Sequence, residues 1–274
     1  MTVINTNVKS LITQTALNRN ARDLGLAMHQ LSTGKRINSA SDDAAGLAIT
    51  NKMTAQIKGL DQAVRNANDA ISMMQTAEGA TIEVTNMLQR MRELAVQAAN
   101  GTNSSNNSDA LQKEFNQLQL EIVRISNNTE WNGMKIIGSA AGTYPMQIGA
   151  NINQTLTVVF ANVAAGVSGM PNAVSAGLTV ADSTAITAMD DAIAGIDNFR
   201  ADLGSKINRL EYTADNLTNI STNTSQSRSR ILDTDYAKAA SELSRTQIIQ
   251  QAATAVLAQA NVDQQSVLKL LQGG

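Results

Sequence analysis

The sequence predicts a mainly α fold: a long antiparallel helical coiled-coil rod formed by the N- and C-terminal segments, with a small β-hairpin region in the middle. Three observations carry this. Apolar residues recur in steps of four and three through two long stretches, 38–100 and 189–217, the spacing of a helical seam. Aromatic residues are only 3% of the 274 residues, few for a compact enzyme core but sufficient for thin helices closed by Ala, Ile, Leu and Met. Between the two stretches, residues 136–189 hold Asp182 as their one charged side chain, and a period of two replaces the helical one.

The first thirty residues place Ile4, Val8, Leu11, Leu17, Ala21, Leu24, Met28 and Leu31 along one helix. Asn, Thr and Gln fill the intervening positions, so intrinsic helix support is weak and ordering by packing is expected. Ser32-Thr33-Gly34-Lys35 ends the pattern. The long helix follows over 38–100, with Met53, Ile57, Leu60, Val64, Ala67, Ile71 and Met74, then Ala77, Val84, Leu88, Met91, Ala95 and Ala98. Two three-residue steps meet at Met74, which reads as a stammer in the heptads. Ser41 is the expected N-cap, Asp42 and Asp43 sit at the positive end of the dipole, and Gly101 is the stop. Such a helix would span roughly 85–90 Å.

Residues 102–108 read as a turn. A helix from Asp109 then presents Leu111, Phe115, Leu118, Ile122 and Ile125 to a core, with Glu114, Glu121 and Arg124 outside, folding back on the long helix. Turn residues 127–133 surround Trp131. Met146 and Ile148, the turn Gly149-Ala150-Asn151, and Leu156, Val158 and Phe160 make the hairpin signal. Residues 161–187 show neither period. Helical spacing returns at Met189, Ile193, Ile196, Leu203, Ile207, Leu210, Ala214 and Leu217, the partner that the long seam requires. A polar joint bears Arg228, Arg230, Asp233 and Asp235, and a last helix from Tyr236 bears Leu243, Ile249, Ala253, Val256, Ala260, Val267 and Leu271. The order is nearly palindromic.

Composition excludes several function classes. A net charge of −2 gives no excess of cations to neutralise phosphates, so no nucleic acid partner is expected. No apolar run of about 18 residues exists, so no membrane partner is expected either. Cysteine is absent, which removes disulfides and thiolate metal sites. Lys9, Arg19, Arg22, Lys35 and Arg36 against Asp23 give the start of the chain the charge bias of a transit peptide, but its heptads and the matching helix at the other end favour a structural segment.

No catalytic, cofactor-binding or metal-ligating set emerges. His29 stands alone and lacks any zinc-site companion. Gly34-Lys35 imitates a phosphate loop, but His29 and Arg36 occupy the glycine and Ser/Thr positions. Asp42-Asp43 and Asp190-Asp191 are explained by helix starts. The methionines at 53, 74, 87, 91 and 134 read as core filling. Arg90, Glu93 and Leu94 share a face by three- and four-residue spacing.

The segment Leu31-Ser32-Thr33-Gly34-Lys35-Arg36-Ile37-Asn38-Ser39-Ala40, followed by Asp42-Asp43-Ala44-Ala45-Gly46-Leu47-Ala48-Ile49, resembles the N-terminal signature of bacterial flagellin. Residues 89–99, Asn132-Gly133-Met134-Lys135, 253–261 and Val267-Leu268-Lys269-Leu270-Leu271 are similar as well. The likeness covers about the first 160 residues and the last 85; the middle departs, lacking the outer domains that many flagellins insert there. The resemblance implies a structural subunit, without enzymatic activity or cofactor, exported by the flagellar type III apparatus without a cleaved signal peptide. It implies polymerisation outside the cell into the filament used for motility. It further implies an inner, D0-like core from residues 1–41 and 236–274, a D1-like rod from 42–160 and 189–235, and a rudimentary surface-exposed insertion at 161–188. Assembly residues carried over are Ile4, Leu11, Leu24, Leu31, Val256, Val267 and Leu271. Implied partners are further copies of the chain, an export chaperone, a cap protein and hook-filament junction proteins. Gln89, Arg90, Leu94 and Glu114 match the pattern recognised in some members by an animal toll-like receptor. A hook-filament junction protein is the alternative, sharing the terminal pattern.

Overall fold

The computed structural model describes residues 6–165, 167, 170–174 and 178–272, with side-chain surroundings given except at 183 and 264–272. The elements are α1 (Val8–Thr33), α2 (Ala44–Ala98), α3 (Ser105–Asn128), β1 (Glu130–Trp131), β2 (Met134–Lys135), β3 (Thr143–Gln147), β4 (Thr155–Val159), α4 (Met170–Ala173), α5 (Ser183–Leu232) and α6 (Tyr236–Gln272). The chain forms two compact units, one of residues 1–55 with 223–274 and one of residues 56–222.

In the unit formed by the chain ends, α1 pairs with α6. Asn7 caps α1, its side chain accepting from the Ser10 N–H at 3.0 Å. Gly34 closes α1 at φ 69°, in the left-handed region, and a Cβ there would come within 2.9 Å of the Tyr236 hydroxyl. The break after α1 pairs with the polar joint between α5 and α6. Lys35 bridges Asp233 in antiparallel fashion, the Arg36 N–H donates to Leu232 O at 2.7 Å, and the Thr234 N–H donates to Gly34 O at 3.0 Å. The Arg36 guanidinium donates twice to Ile231 O, covering a carbonyl that the end of α5 leaves without a helical partner. Asp235 caps α6 through the Ala237 and Lys238 N–H groups.

The cap of α2 differs from the expectation. Asp43, not Ser41, accepts from the Gly46 N–H, at 2.8 Å. Asp42 closes the preceding loop, its Oδ2 accepting from the Asn38 and Ser39 N–H groups, each at 2.9 Å. Those backbone bonds hold its carboxyl below the usual range.

In the unit 56–222, a buried series on α2 runs Leu60, Ala63, Ala67, Ala70, Met74, Ala77, Thr81, Val84, Leu88, Met91, Ala95 and Ala98, with Met73, Thr85 and Leu94 buried beside it. This alternation of three and four is unbroken, so no stammer falls at Met74. The doubled step of three lies at Ile57, Leu60 and Ala63, where Ile57 is half-buried. Small residues take the seam and leave Val64 and Ile71 half-buried beside it, because close helix approach favours the side chain that fits over the more apolar one. Antiparallel pairing with α5 is marked by Ser221 to Asp61 at 2.8 Å, Arg200 to Glu78 at 3.8 Å and Arg92 to Asp190 at 2.5 Å.

Helix α3 begins at Ser105, earlier than the sequence spacing places it, because the Ser104 side chain caps it by accepting from the Asn107 N–H. Phe115 and Ile122 are buried as expected. The hairpin β3–β4 forms where the period of two placed it and sets Met146 opposite Leu156 and Tyr144 opposite Val158. It lies against α2: the Asn66 amide donates to Gln147 O at 3.0 Å, and a Cβ on Gly59 would stand 2.9 Å from that of Ala150. A second, shorter hairpin joins β1 to β2 through Asn132 and Gly133 at φ 49° and 75°, the left-handed pair that a two-residue turn requires.

The described residues of 161–188 do not form the surface-exposed excursion expected of them. Val163, Met170, Ala173 and Val180 are buried in the main core, and α5 begins at Ser183, ahead of Met189. Polar side chains one heptad apart on α3 bond this backbone and the stretch after β2. Gln112 donates to Leu178 O and accepts from the Val180 N–H, Gln119 donates to Ala173 O, and Ser126 donates to Ile137 O.

Candidate functional site

Two surfaces carry residues singled out by the sequence. The first is the α1–α6 pair. Its inward positions repeat by three and four: Leu17, Asn20, Leu24, Ala27 and Leu31 on α1, and Ala239, Leu243, Thr246, Gln250, Ala253, Leu257 and Ala260 on α6. Leu24 and Leu31 are half-buried there. Leu11 and Val256, by contrast, face outward with 54% and 56% of their surface exposed. Val8, Ile12, Met28, Ile248 and Val262 are exposed with them. A helix pair with this much apolar surface on its outside is unlike the ordinary surface of an isolated protein. The expected stripe was therefore composite: some members close the pair and others point away from it. Ile4 lies outside the described residues, and the side-chain surroundings of Val267 and Leu271 lie outside the description.

The second surface is the end of α2 beside α3. The Arg90 guanidinium reaches Glu114 at 2.9 Å and Glu93 at 3.0 Å. The hydrogen bonds that it donates to Glu114 and then to Glu93 raise its pKa above the ordinary arginine value. Gln89, Arg90, Glu93 and Glu114 are exposed. Leu94 is not: at 1% exposure it belongs to the core with Met91 and Ala95. Arg90 bonds to α3 while Arg92 bonds to Asp190 on α5, so α2 is flanked on two sides here. A buried face that wide takes in Leu94, which a single-seam reading leaves outside. Sequence reasoning also missed the Arg92–Asp190 pair, having given Asp190 to a helix start that lies instead at Ser183; its one signal was opposite charge on two helices already expected to pair.

The N-terminal helical region of bacterial flagellin matches residues 4–141, and the C-terminal helical region of bacterial flagellin matches residues 186–271. A flagellin of Halalkalibacterium halodurans is 44% identical over 274 aligned positions, covering 98% of this chain and 100% of that protein. The chain belongs to the bacterial flagellin family. A flagellin of Xenorhabdus nematophila is 43% identical over 315 positions, covering 98% of this chain and 99% of its own length. Among solved structures, Bacillus cereus flagellin is 32% identical over 56% of this flagellin and 88% of that chain, at a TM-score of 0.49. A structure described as a flagellar hook-associated protein of Vibrio parahaemolyticus covers 70% of this chain and all of its own, at a TM-score of 0.57 and 13% identity, a likeness of fold alone. Flagellins are structural subunits that polymerise with copies of themselves into the extracellular filament of motility. This flagellin is accordingly a structural protein, not an enzyme.

Proposed function

We propose that the α1–α6 pair, within the segments 1–41 and 236–274, forms the inner layer of the filament, and that 42–160 with 189–235 forms the layer around it. The outward apolar residues of the pair support this reading, Leu11 and Val256 above all. Covered by neighbouring copies they would leave water, at about 25 cal/mol for each Å² of apolar surface removed. Leu24 and Leu31 act within the pair, and Ile4, Val267 and Leu271 join the assembly set on the family resemblance. Electron cryomicroscopy of the filament tests this: residues 8–33 and 236–263 are expected next to the central channel, and density for them at the outer surface contradicts the assignment.

Export through the flagellar type III apparatus without a cleaved signal peptide, by way of an export chaperone, belongs to the same reading, as does growth under a cap protein beyond hook-filament junction proteins. Absence of cysteine and weak intrinsic helix support in α1 suit passage of an unfolded chain. Recognition by an animal toll-like receptor would use the exposed Gln89, Arg90 and Glu114, with Leu94 holding the helix that presents them. In a receptor reporter assay, Arg90→Ala with Glu114→Ala is expected to lower the response at least about tenfold, the range of a charged hot spot. An undiminished response removes this patch from recognition.

A further inference from the structure

We infer that Asn100 is a site of spontaneous deamidation in the folded chain, and that Asn132, in the same Asn-Gly dipeptide, is held against the reaction by its turn. Asn-Gly occurs twice in the sequence, at 100–101 and 132–133, and both asparagines are exposed to water. In this reaction the glycine main-chain nitrogen forms a bond to the asparagine Cγ. Its proton goes to the side-chain amide, which leaves as ammonia, and a five-membered succinimide remains. Water then opens the ring at either carbonyl, giving aspartate or isoaspartate. Glycine leaves the attacking nitrogen uncrowded, so the rate is decided by whether the backbone lets that nitrogen meet Cγ.

The two sites differ at that step. Asn132 and Gly133 are the central residues of the β1–β2 hairpin, with φ 49° and 75°. Positive φ at both marks a type I′ turn, whose first central residue has ψ of about +30°. Ring closure in an L residue needs a strongly negative ψ, which brings Cβ and the following nitrogen to one side. Asn132 would have to leave the turn to reach it, parting Trp131 from Met134. Asn100 is not held in this way. It lies in the six residues 99–104 that separate α2 from α3, and its φ is outside the left-handed region. The Thr102 N–H donates to its Oδ1 at 3.3 Å. That bond folds the side chain forward over the Gly101 peptide, and it places a donor where the oxygen on Cγ gains negative charge as the nitrogen adds, as in an oxyanion hole. The products burden this loop in ways that asparagine does not. Aspartate sets a carboxylate at the negative end of the α2 dipole. Isoaspartate lengthens the main chain between α2 and Asn103, whose amide donates to Gln97 O at 2.6 Å and whose N–H donates to Asn100 O at 3.1 Å.

Trypsin separates the two sites, releasing residues 93–113 and 125–135. Mass spectrometry of those peptides follows each conversion in the full chain kept in mildly alkaline buffer, and fragment ions distinguish Asn100 from Asn103, Asn106 and Asn107. Asn100 is expected to convert at least about tenfold faster than Asn132 in the native chain, a modest part of what misaligned reacting atoms can cost. In denaturant the two should convert within about twofold of each other, because the turn that distinguishes them is gone. Gly101→Ala gives a second reading. A Cβ there meets open space at a φ that is not left-handed, so the chain should fold as before, while conversion at Asn100 falls at least about tenfold because a methyl group crowds the attacking nitrogen. Equal rates in the native chain overturn the inference, as does faster conversion at Asn132. A native difference that survives unfolding overturns it too, by assigning the selectivity to neighbouring residues in place of the turn. So does an Asn100 that stays intact in the native chain while the unfolded chain converts, or one that converts unchanged in Gly101→Ala.

Discussion

Phe115→Ala is expected to lower the unfolding free energy of the unit 56–222 by about 3–5 kcal/mol, the usual range when a buried phenylalanine is truncated in a core that closes only partly. Phe115 has no exposed surface, and it is one of the few large side chains in a core made mostly of alanine, methionine and β-branched residues. Alanine at a helix seam has little freedom to move into the vacated volume, because the helix backbones are already close. Denaturant unfolding of the full chain gives the measurement, with Leu120→Ala as the control. Leu120 lies on the same helix but is largely exposed, and its truncation should change stability by no more than about 0.5 kcal/mol. Equal effects of the two substitutions would show that α3 is not packed as described.

The second large effect concerns assembly. Leu11→Asp combined with Val256→Asp should leave the folding of 56–222 unchanged and raise the concentration needed for filament growth at least about 100-fold. Both side chains are more than half exposed in the single chain, so a carboxylate there costs the monomer little. Packed against a neighbouring copy, each carboxylate would have to shed water without a partner, at several kcal/mol apiece. Growth within about twofold of the parent chain would place these residues outside the contacts.

Much of this was legible in the sequence because two periodicities were strong. The long helix, its return partner, the β3–β4 hairpin and the two terminal helices all follow from spacing. What was lost was lost to size and to side-chain hydrogen bonds. Ranking positions by hydrophobicity selected Val64 and Ile71, whereas a close helical seam prefers Ala63 and Ala70, which moved the apparent stammer. The short β1–β2 hairpin offered no period to detect, although Asn132-Gly133 was its turn signal. Segment 161–188 looked like surface because its composition is small and uncharged. Its described backbone is bonded by Gln112 and Gln119, heptad-spaced polar residues that pattern reasoning assigns to solvent. Leu94, assigned to the receptor face by the resemblance, is buried because α3 and α5 flank this end of α2 and widen its buried side.

The central claim is that the terminal helices carry apolar surface that only another copy of the chain can cover. Seeded growth measures it most directly: sheared filament fragments are mixed with full-length chain or with a chain lacking residues 1–31, and lengths are followed by electron microscopy. Fragments lengthened by the full chain and left unchanged by the shortened one are the predicted result. Equal lengthening by both would contradict it.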